Sequence, residues 1–183
     1  EVVPSGSQSD LIYVGRLIEH KNIDLLIRAV KHVQSEIPDL KVMIVGDGPE
    51  IDNLRLLARE LDLSQSISFL GFVEDYNYAL SLMKSSRIFV SPSTREGFGM
   101  AALDANACGI PVVTVNHDMN AVMDLISKDT GLICQPDEDD LSRDILTLLL
   151  GQSINKERCI EAAKEYDWDA ICNRAERVYD QTT

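Results

Sequence analysis

The stretch DLIYVGRL, residues 10–17, decides the fold class of this 183-residue chain. Its apolar run, 10–14, predicts a strand that is buried on both faces, and Gly15 and Arg16 begin a loop directly after it. Similar short apolar runs recur along the chain at 41–45, 67–70, 87–91, 111–115 and 131–134. We expect all of these runs to be strands of one sheet.

Amphipathic segments lie between the predicted strands. Apolar residues recur at helical spacing in 23–37, where Pro38 ends the pattern, and in 51–61 after Pro49. Other helices are predicted near 75–85, 100–107, 138–150, 156–165 and 169–180. Strands that alternate with helices indicate a doubly wound, mostly parallel, Rossmann-like α/β sheet with helices on both faces.

Composition and charge exclude several classes of function. The chain carries 17 Lys and Arg against 30 Asp and Glu, a formal net charge of −13. This field repels nucleic acid, so no nucleic-acid partner is expected. No apolar run reaches the length of a membrane span, so we expect no direct membrane insertion. The four cysteines lack CxxC spacing and a paired His pattern, which argues against zinc and favours reduced thiols in a cytoplasmic protein.

The loop after the first strand contains two cations, Arg16 and Lys21. Ligands of doubly wound sheets bind beyond the C-terminal ends of the strands, which is where this loop lies. Arginine can hold a diphosphate as a fork while lysine supplies a mobile point charge. The alternative is that both are surface cations, and spacing alone does not decide between the two.

The loop after the fourth strand, SPSTREGFGM at 91–100, contains a glycine on either side of Phe98. Glycine lets backbone approach a ligand closely, and a helix N-terminus attracts phosphate. Glu96 could accept hydrogen bonds from sugar hydroxyls at the mouth of such a site. Asp104, on the following helix, could reach ribose hydroxyls. Each of these signals is modest by itself, since an acid on a helix is more often solvated.

A third loop, GDGP at 46–49, is interpreted as a tight strand-to-helix turn. It lacks the third glycine of a dinucleotide-binding motif and a suitably placed acid on the next strand. Gly46 could keep space open for a ligand, and Asp47 could cap the next helix.

Six sequence blocks resemble glycosyltransferase family 4, a group of retaining enzymes with the two-Rossmann-domain GT-B architecture. In chain order they are YVGRL with Lys21, VGDGP, FLGFV, PS followed by EGFG, ACGIPVV and TGLI. Because the blocks span nearly the whole chain, together they are far more specific than any single motif. The resemblance implies that 1–183 is the nucleotide-sugar-binding, C-terminal half of such an enzyme, with a leading loop at 1–9 and C-terminal helices at 155–183. The N-terminal acceptor domain is expected to be absent from this chain.

The resemblance implies roles at matching positions. Arg16 and Lys21 would bind the donor diphosphate, and Glu96 would contact the transferred sugar; these three are the expected catalytic residues. Donor-binding contacts are expected at Gly15, Gly46, Gly71, Phe72, Val73, Gly97, Phe98, Gly99, Met100 and Asp104. The expected partners are a UDP-, GDP- or ADP-linked sugar and the N-terminal domain of the parent protein.

No cofactor and no metal are expected. In retaining enzymes of this architecture the leaving diphosphate is thought to assist the acceptor, and cations with a helix N-terminus can stabilise its charge. No Asp-x-Asp motif occupies a matching loop. The isolated chain is expected to bind donor weakly and to transfer nothing alone. We expect a cytoplasmic location, with any peripheral membrane contact made by the N-terminal domain.

Two departures from the family pattern bear on function. The second acid of the paired motif is usually Glu, whereas Asp104 is one methylene shorter. The loop after the fifth strand usually carries Gly-Gly and then Glu, whereas this chain has NHDMNA at 116–121, with Asp124 a candidate replacement. His117 is either a substrate-side residue or a solvated loop residue, and we favour the second interpretation. The segment YDW at 166–168 resembles the family's aromatic segment before the last helix, and we interpret Trp168 as core packing. Two alternatives therefore stay open: an epimerase-like GT-B domain, and a non-catalytic nucleotide-sugar-binding module.

Overall fold

The computed structural model describes residues 2–151 and 154–182, and its centre is a six-stranded parallel sheet. Every predicted strand is present, with bounds that differ from the prediction by at most one residue. The strands are β1 (Ser9–Val14), β2 (Val42–Val45), β3 (Ile67–Gly71), β4 (Ser86–Ser91), β5 (Val112–Val115) and β6 (Gly131–Cys134). The predicted leading loop therefore ends one residue early, because Ser9 pairs with Ser86 of β4. Residues 1 and 183, the ends of the predicted domain, lie outside the described residues.

All predicted helices are present among the described residues. They are α1 (Ile23–Glu36), α2 (Ile51–Glu60), α3 (Tyr76–Lys84), α4 (Met100–Ala107), α5 (Glu138–Leu150), α6 (Lys156–Lys164) and α7 (Trp168–Thr182). Two short 3-10 helices, Glu19–Lys21 and Ala121–Leu125, were not predicted, because segments this short carry no measurable period. Asp75 starts α3 by accepting hydrogen bonds from the backbone N–H groups of Asn77 and Tyr78.

Helices cover both faces of the sheet and form two cores. In β1, Leu11 and Tyr13 pack with α1 and α5 on one face, whereas Ile12 packs with α3 and α4 on the other. Burying one such aliphatic side chain stabilises the fold by about 1.5–3 kcal/mol. The predicted fold class, a doubly wound parallel α/β sheet, is confirmed.

The strand order β3-β2-β1-β4-β5-β6 places the functional loops. After β1 the chain continues towards β2, and after β4 it continues towards β5, so the connections diverge between these two neighbouring strands. Such a reversal of strand order opens a crevice at the C-terminal strand ends, where ligands bind in this fold. The loops 15–22 and 92–99 flank that crevice.

The expectation that Trp168 packs in the core is wrong. Its side chain is 77% exposed at the start of α7. The preceding helix, α6, is the one that packs against α4, through buried Cys159 among others, and α7 extends beyond it. An amphipathic period reports that a helix has an apolar stripe, but not whether this chain covers the stripe.

The four cysteines are free, as expected. Cys108, Cys134 and Cys159 are buried and Cys172 is exposed. Throughout 2–151 and 154–182, no helix is both long and apolar enough to cross a bilayer.

Candidate functional site

A cavity of about 360 Å³ lies at the C-terminal ends of β1 and β4. It brings together seven of the predicted site residues from two loops: Gly15, Arg16, Lys21, Glu96, Phe98, Gly99 and Met100. The same wall includes residues that the sequence did not single out for the site: Tyr13, Val14, Phe89, Ser91, Ala101, Ala102 and Val122. Proximity of the two loops follows from strand order, so the cavity is a direct product of the topology.

Lys21 and Glu96 form an ion pair at this cavity, through Nζ and Oε1. Their side chains are only 15% and 21% exposed, so the pair is partly shielded from water. Shielding strengthens the attraction and makes the loss of either partner costly to the other. The lysine ammonium has three donors, of which Glu96 occupies one, so two remain for an anion.

Asn22 fastens the two loops to each other. It has a left-handed backbone (φ 49°), and its Nδ2 donates to the carbonyl oxygen of Pro92 and to Thr94 Oγ1, both at 3.2 Å. The backbone N–H of Thr94 also donates to the carbonyl oxygen of His20 at 3.1 Å. These bonds fix the loop positions on either side of the Lys21–Glu96 pair before any ligand binds.

The loop after β5 holds Glu96 from the other side. The backbone N–H of Glu96 donates to Met119 O at 2.9 Å, and the N–H of Ala121 donates to Glu96 O at 3.1 Å. Buried Asn120 supports this loop, since its Nδ2 donates to Val115 O (2.7 Å) and Thr114 Oγ1 (3.0 Å). The departure from the family pattern at 116–121 therefore includes a structural residue.

His117 lies in the same loop, where its Nδ1 accepts a hydrogen bond from the N–H of Met119 at 3.3 Å. Its side chain is half-buried rather than fully solvated. The imidazole thus has a local structural role in shaping the turn. It does not line the cavity at β1 and β4.

Tyr13 supports the turn that carries Arg16. Its hydroxyl donates to the carbonyl oxygen of Arg16 at 3.0 Å. Burial, and secondarily the charge of Glu96, raise the pKa of the Tyr13 hydroxyl well above its usual range. The hydroxyl therefore stays protonated as a donor. The Arg16 side chain is exposed at the cavity, with no ion-pair partner among the described residues.

The N-terminus of α4 points at the cavity. Gly99 has φ +90°, and a Cβ at this position would lie 2.4 Å from Cγ2 of Val122. No side chain caps α4 and no acid lies in its first turn. The N–H groups of Ala102 and Leu103 donate to Gly99 O, which leaves those of Met100 and Ala101 as the donors that this helix end can offer to an anion.

Other predicted contacts lie outside the cavity lining. Gly71, with φ +73°, ends β3; Phe72 is strongly exposed and Val73 packs against the α3–α4 core. Gly97 is exposed, and a Cβ there would meet no atom within 4 Å. None of these four residues lines the β1–β4 cavity.

Glycine at position 46 has a structural cause, and the ligand-facing role suggested by the sequence stays a prediction. A Cβ on Gly46 would lie 1.8 Å from the carbonyl oxygen of Gly15, and its φ is +135°. Glycine is required because two backbone segments cross here. The Asp47 carboxylate accepts a bond from the N–H of Gly48, whereas α2 begins only at Ile51 and has no side-chain cap.

Asp104 lies one helical turn beyond Met100 and Ala101, which line the cavity. Its Oδ1 accepts a hydrogen bond of 2.8 Å from the hydroxyl of Tyr76 on α3. Burial raises the pKa of the Asp104 carboxyl, and the bond from Tyr76 opposes that shift. Burial, together with the bond to Asp104 and its negative charge, raises the pKa of Tyr76 to about 12.

A larger hollow, of about 470 Å³, lies at the opposite end of the strands, near Arg87 and Lys156. That end presents no strand-order crevice and no helix N-terminus of the kind described above. The β1–β4 cavity is the stronger candidate because its charges, backbone donors and topology coincide. In the described part of the chain, no group of three or more His, Cys, Asp or Glu residues is placed to hold a metal ion.

A family model described as glycosyl transferases group 1 matches residues 3–166. The chain belongs to this family. The match includes every residue of the β1–β4 cavity and the Tyr76–Asp104 pair, so these features lie within the family's own domain. The resemblance inferred from the six sequence blocks is confirmed.

Curated relatives of this group 1 glycosyltransferase chain are considerably longer than it. It is 28% identical over 184 residues to the phosphatidylinositol N-acetylglucosaminyltransferase gpi3 subunit of Schizosaccharomyces pombe, covering 97% of this chain and 40% of that protein. It is 32% identical over 183 residues to an uncharacterized glycosyltransferase of Methanocaldococcus jannaschii, covering 95% and 46%. The chain thus spans less than half the length of these relatives.

Several solved structures share the fold of this chain. The pneumococcal O-GlcNAc transferase GtfA, in complex with UDP and GlcNAc, superposes with a TM-score of 0.81 at 20% identity, over 98% of this chain and 37% of that one. The C-terminal domain of the Francisella tularensis protein LpcC gives 0.70 at 22% identity, over 95% of both chains. The predicted architecture, the C-terminal half of a GT-B enzyme, is confirmed; at these identities the likeness concerns fold alone.

Sequence analysis missed the residues that hold the site together. Asn22, Asn120 and Tyr76 each bond across a loop or between helices. Asn22 gave one usable signal, since Asn tolerates a left-handed backbone between a loop and a helix. No local signal identifies Tyr76, whose partner is 28 residues away in the sequence.

Proposed function

We propose that this chain is the donor-binding half of a retaining hexosyltransferase that uses a UDP-, GDP- or ADP-linked sugar. One observation carries the proposal: the Lys21–Glu96 ion pair lies beside the free N-terminus of α4 at the strand-order crevice. An anionic ligand needs such a local concentration of donors, because the chain as a whole has a formal net charge of −13.

In this proposal the diphosphate binds between Arg16, Lys21 and the first turn of α4. Arg16 supplies a planar fork and Lys21 the two ammonium donors that Glu96 leaves unused. The helix N-terminus contributes backbone N–H groups without side-chain rearrangement. Glu96 accepts hydrogen bonds from hydroxyls of the transferred sugar through the oxygen that does not contact Lys21.

The reaction breaks the bond between the anomeric carbon of the sugar and the diphosphate oxygen. A new bond forms between that carbon and the acceptor hydroxyl oxygen, on the same face. The acceptor proton passes to the leaving diphosphate, so no protein base is needed. The protein's task is to stabilise the charge that develops on the leaving group, and preorganised donors do this most effectively.

Names of the relatives support a nucleotide-sugar donor without choosing one. A 30% identical protein of Corynebacterium glutamicum is named a GDP-mannose-dependent mannosyltransferase, whereas the Schizosaccharomyces pombe protein is named an N-acetylglucosaminyltransferase. We propose that the acceptor is bound by an N-terminal domain of the parent protein. The chain alone then binds donor and transfers nothing, and no metal takes part.

Isothermal titration calorimetry with UDP, GDP, ADP, UDP-N-acetylglucosamine and GDP-mannose tests the proposal. We expect one base to bind, with about 10- to 100-fold weaker binding in Arg16→Ala and in Lys21→Ala, because each removes a charged donor. Lys31→Ala, an exposed cation on α1, is the matched control and should bind like wild type. Failure of the folded wild-type chain to bind any of these ligands, or equal binding by all variants, would contradict the proposal.

Product analysis separates the proposal from the epimerase-like alternative. The wild-type chain is incubated with its tightest-binding nucleotide sugar and no acceptor. We expect the donor to remain intact, since in this proposal the acceptor is bound by an N-terminal domain of the parent protein. Release of free nucleoside diphosphate together with an altered sugar would favour the epimerase instead.

A further inference from the structure

Asp104 lies on α4 just beyond the lining of the β1–β4 cavity. It follows Met100 and Ala101 by one turn of α4, and residues three and four apart share a helix face. One of its oxygens, Oδ1, is occupied by the hydroxyl of Tyr76 at 2.8 Å. In the described residues no other group donates to the carboxylate, so Oδ2 can accept a hydrogen bond from a ligand.

Tyr76 is itself firmly placed at its backbone. It is the first residue of α3, and the carboxylate of Asp75 caps that helix through the N–H groups of Asn77 and Tyr78. The Tyr76 side chain is 58% exposed, so packing alone does not explain why a large aromatic residue occupies this position. Among the described residues, the Tyr76 side chain makes one hydrogen bond, which is the bond to Asp104.

We infer that Tyr76 is the positioning residue for Asp104, and that it aims the free carboxylate oxygen at the ribose hydroxyls of the donor nucleotide. This inference rests on the proposed function. The resemblance described above places a Glu at this position, and Asp104 is one methylene shorter, so its carboxylate has less reach. A carboxylate that is already held in one orientation loses less conformational entropy when it binds a ligand, and this offsets the shorter reach. The tyrosine hydroxyl also stabilises the ionised form, which is the better acceptor.

The charged surroundings of Asp104 leave Tyr76 as its principal partner. Cys108 ends the same helix, and its thiol stays neutral because burial raises its pKa to about 11. Lys84 of α3 and Lys156 of α6 act on Cys108, and Asp124 belongs to the 3-10 helix that also packs against α4. Burial raises the pKa of Asp104 and the Tyr76 bond lowers it. Removing the hydroxyl should therefore raise that pKa further.

The first test needs no ligand. The pKa of the Asp104 carboxyl is measured by carbon-13 NMR titration in wild type, Tyr76→Phe and Tyr78→Phe. Tyr78 is a matched control, because it is an exposed tyrosine on the same helix whose hydroxyl makes no hydrogen bond in the described residues. We expect a higher pKa in Tyr76→Phe alone. An unchanged pKa in that variant would overturn the inference.

The second test uses whichever of UDP, GDP and ADP binds to the chain. It compares the affinity of that ribonucleotide with the affinity of its 2′-deoxy form. We expect Tyr76→Phe to weaken binding of the ribonucleotide about 3- to 10-fold, and to weaken the deoxynucleotide less. Asp104→Ala should likewise weaken binding of the ribonucleotide more than binding of the deoxynucleotide. The double variant should bind no worse than Asp104→Ala, since the two residues act as a unit. Because the pKa of Asp104 should be higher in Tyr76→Phe, this variant should lose its affinity for the nucleotide at a higher pH than wild type does as the solution is acidified.

These outcomes separate the inference from the proposed function. Suppose that wild type binds nucleotide and that Lys21→Ala weakens this binding. If Tyr76→Phe then binds the ribonucleotide and the 2′-deoxynucleotide like wild type, only the inference fails. Equal losses for ribo- and deoxynucleotide, or additive losses in the double variant, also overturn it. If no nucleotide binds to the folded wild-type chain, the proposed function fails and the inference fails with it.

Discussion

Replacing Gly46 by alanine should destabilise the chain through a clash between two backbone segments. Gly46 follows β2 at the point where the turn after β1 crosses it. A Cβ there would lie 1.8 Å from the carbonyl oxygen of Gly15. The backbone cannot move away easily, because the N–H of Gly15 donates to Val45 O (3.0 Å) and the N–H of Gly46 donates to Gly71 O (2.8 Å).

The magnitude follows from two costs. The φ of +135° lies in a region that residues with a Cβ rarely adopt, which costs on the order of 1–3 kcal/mol. Separating the overlapping atoms requires a shift of the β1–β2 crossing, and overpacking of this kind costs about 1–3 kcal/mol. We therefore expect a loss of about 2–6 kcal/mol, against a typical total stability of about 5–15 kcal/mol.

Urea unfolding followed by circular dichroism measures this loss directly. For a chain of this size each kcal/mol lowers Tm by about 2–4 °C, so Tm should fall by roughly 4–24 °C. Gly97→Ala is the matched control, because its Cβ would meet no atom within 4 Å and its φ is not positive. We expect that control to unfold within about 0.5 kcal/mol of wild type.

The reasoning would be refuted by a Gly46→Ala variant that unfolds within about 0.5 kcal/mol of wild type with an unchanged denaturant slope. Normal stability combined with weaker nucleotide binding would be equally informative. It would support the ligand-facing role that the sequence suggested for Gly46 and remove the packing role that the structure assigns to it.

Two more predictions concern the buried Asn120 side chain, which supports the loop beside Glu96, and the accessibility of the cysteines. Asn120→Ala should lower the free energy of unfolding by about 2–3 kcal/mol, because it leaves the buried carbonyl of Val115 without the donor that Asn120 supplies. The control is Asn116→Ala, at an exposed position, which should change the free energy of unfolding by less than about 0.5 kcal/mol in the same urea experiment. Titration with a thiol reagent at pH 8 should modify exposed Cys172 rapidly and the three buried cysteines slowly. Burial raises the pKa of the three buried thiols, to about 12 for Cys134, so little of the reactive thiolate is present. Rapid modification of all four thiols in the folded chain would contradict this.

In the proposed function an acidic domain binds an acidic ligand, and the geometry of the site is compatible with this. The net charge of −13 is spread over exposed surfaces, such as the first turn of α5 with its three consecutive acids. Among the described residues, Glu96 is the only one with a carboxylate in the lining of the β1–β4 cavity, and it is already paired with Lys21. Backbone donors at α4 and the unpaired Arg16 then dominate the local field, because short-range donors in a shielded site outweigh distant, screened charges.

The sequence by itself determined the elements and their class. Burial alternates with period 2 along a strand and 3.6 along a helix, so local apolar patterns located every strand to within one residue. The same patterns placed Arg16, Lys21 and Glu96 in loops at strand ends. Glycine and proline marked where those loops began, since these residues act on their own backbone.

Tertiary structure alone decided which loops meet and what each residue does there. Lys21 and Glu96 are 75 residues apart, and only the adjacency of β1 and β4 makes them a pair. Tyr76 reaches Asp104 because α3 and α4 share one face of the sheet. Gly46 lies where two backbone segments cross, and the side chain of Trp168 is exposed. Sequence periodicity indicates which residues are apolar or small, but it does not indicate which part of the chain packs against them.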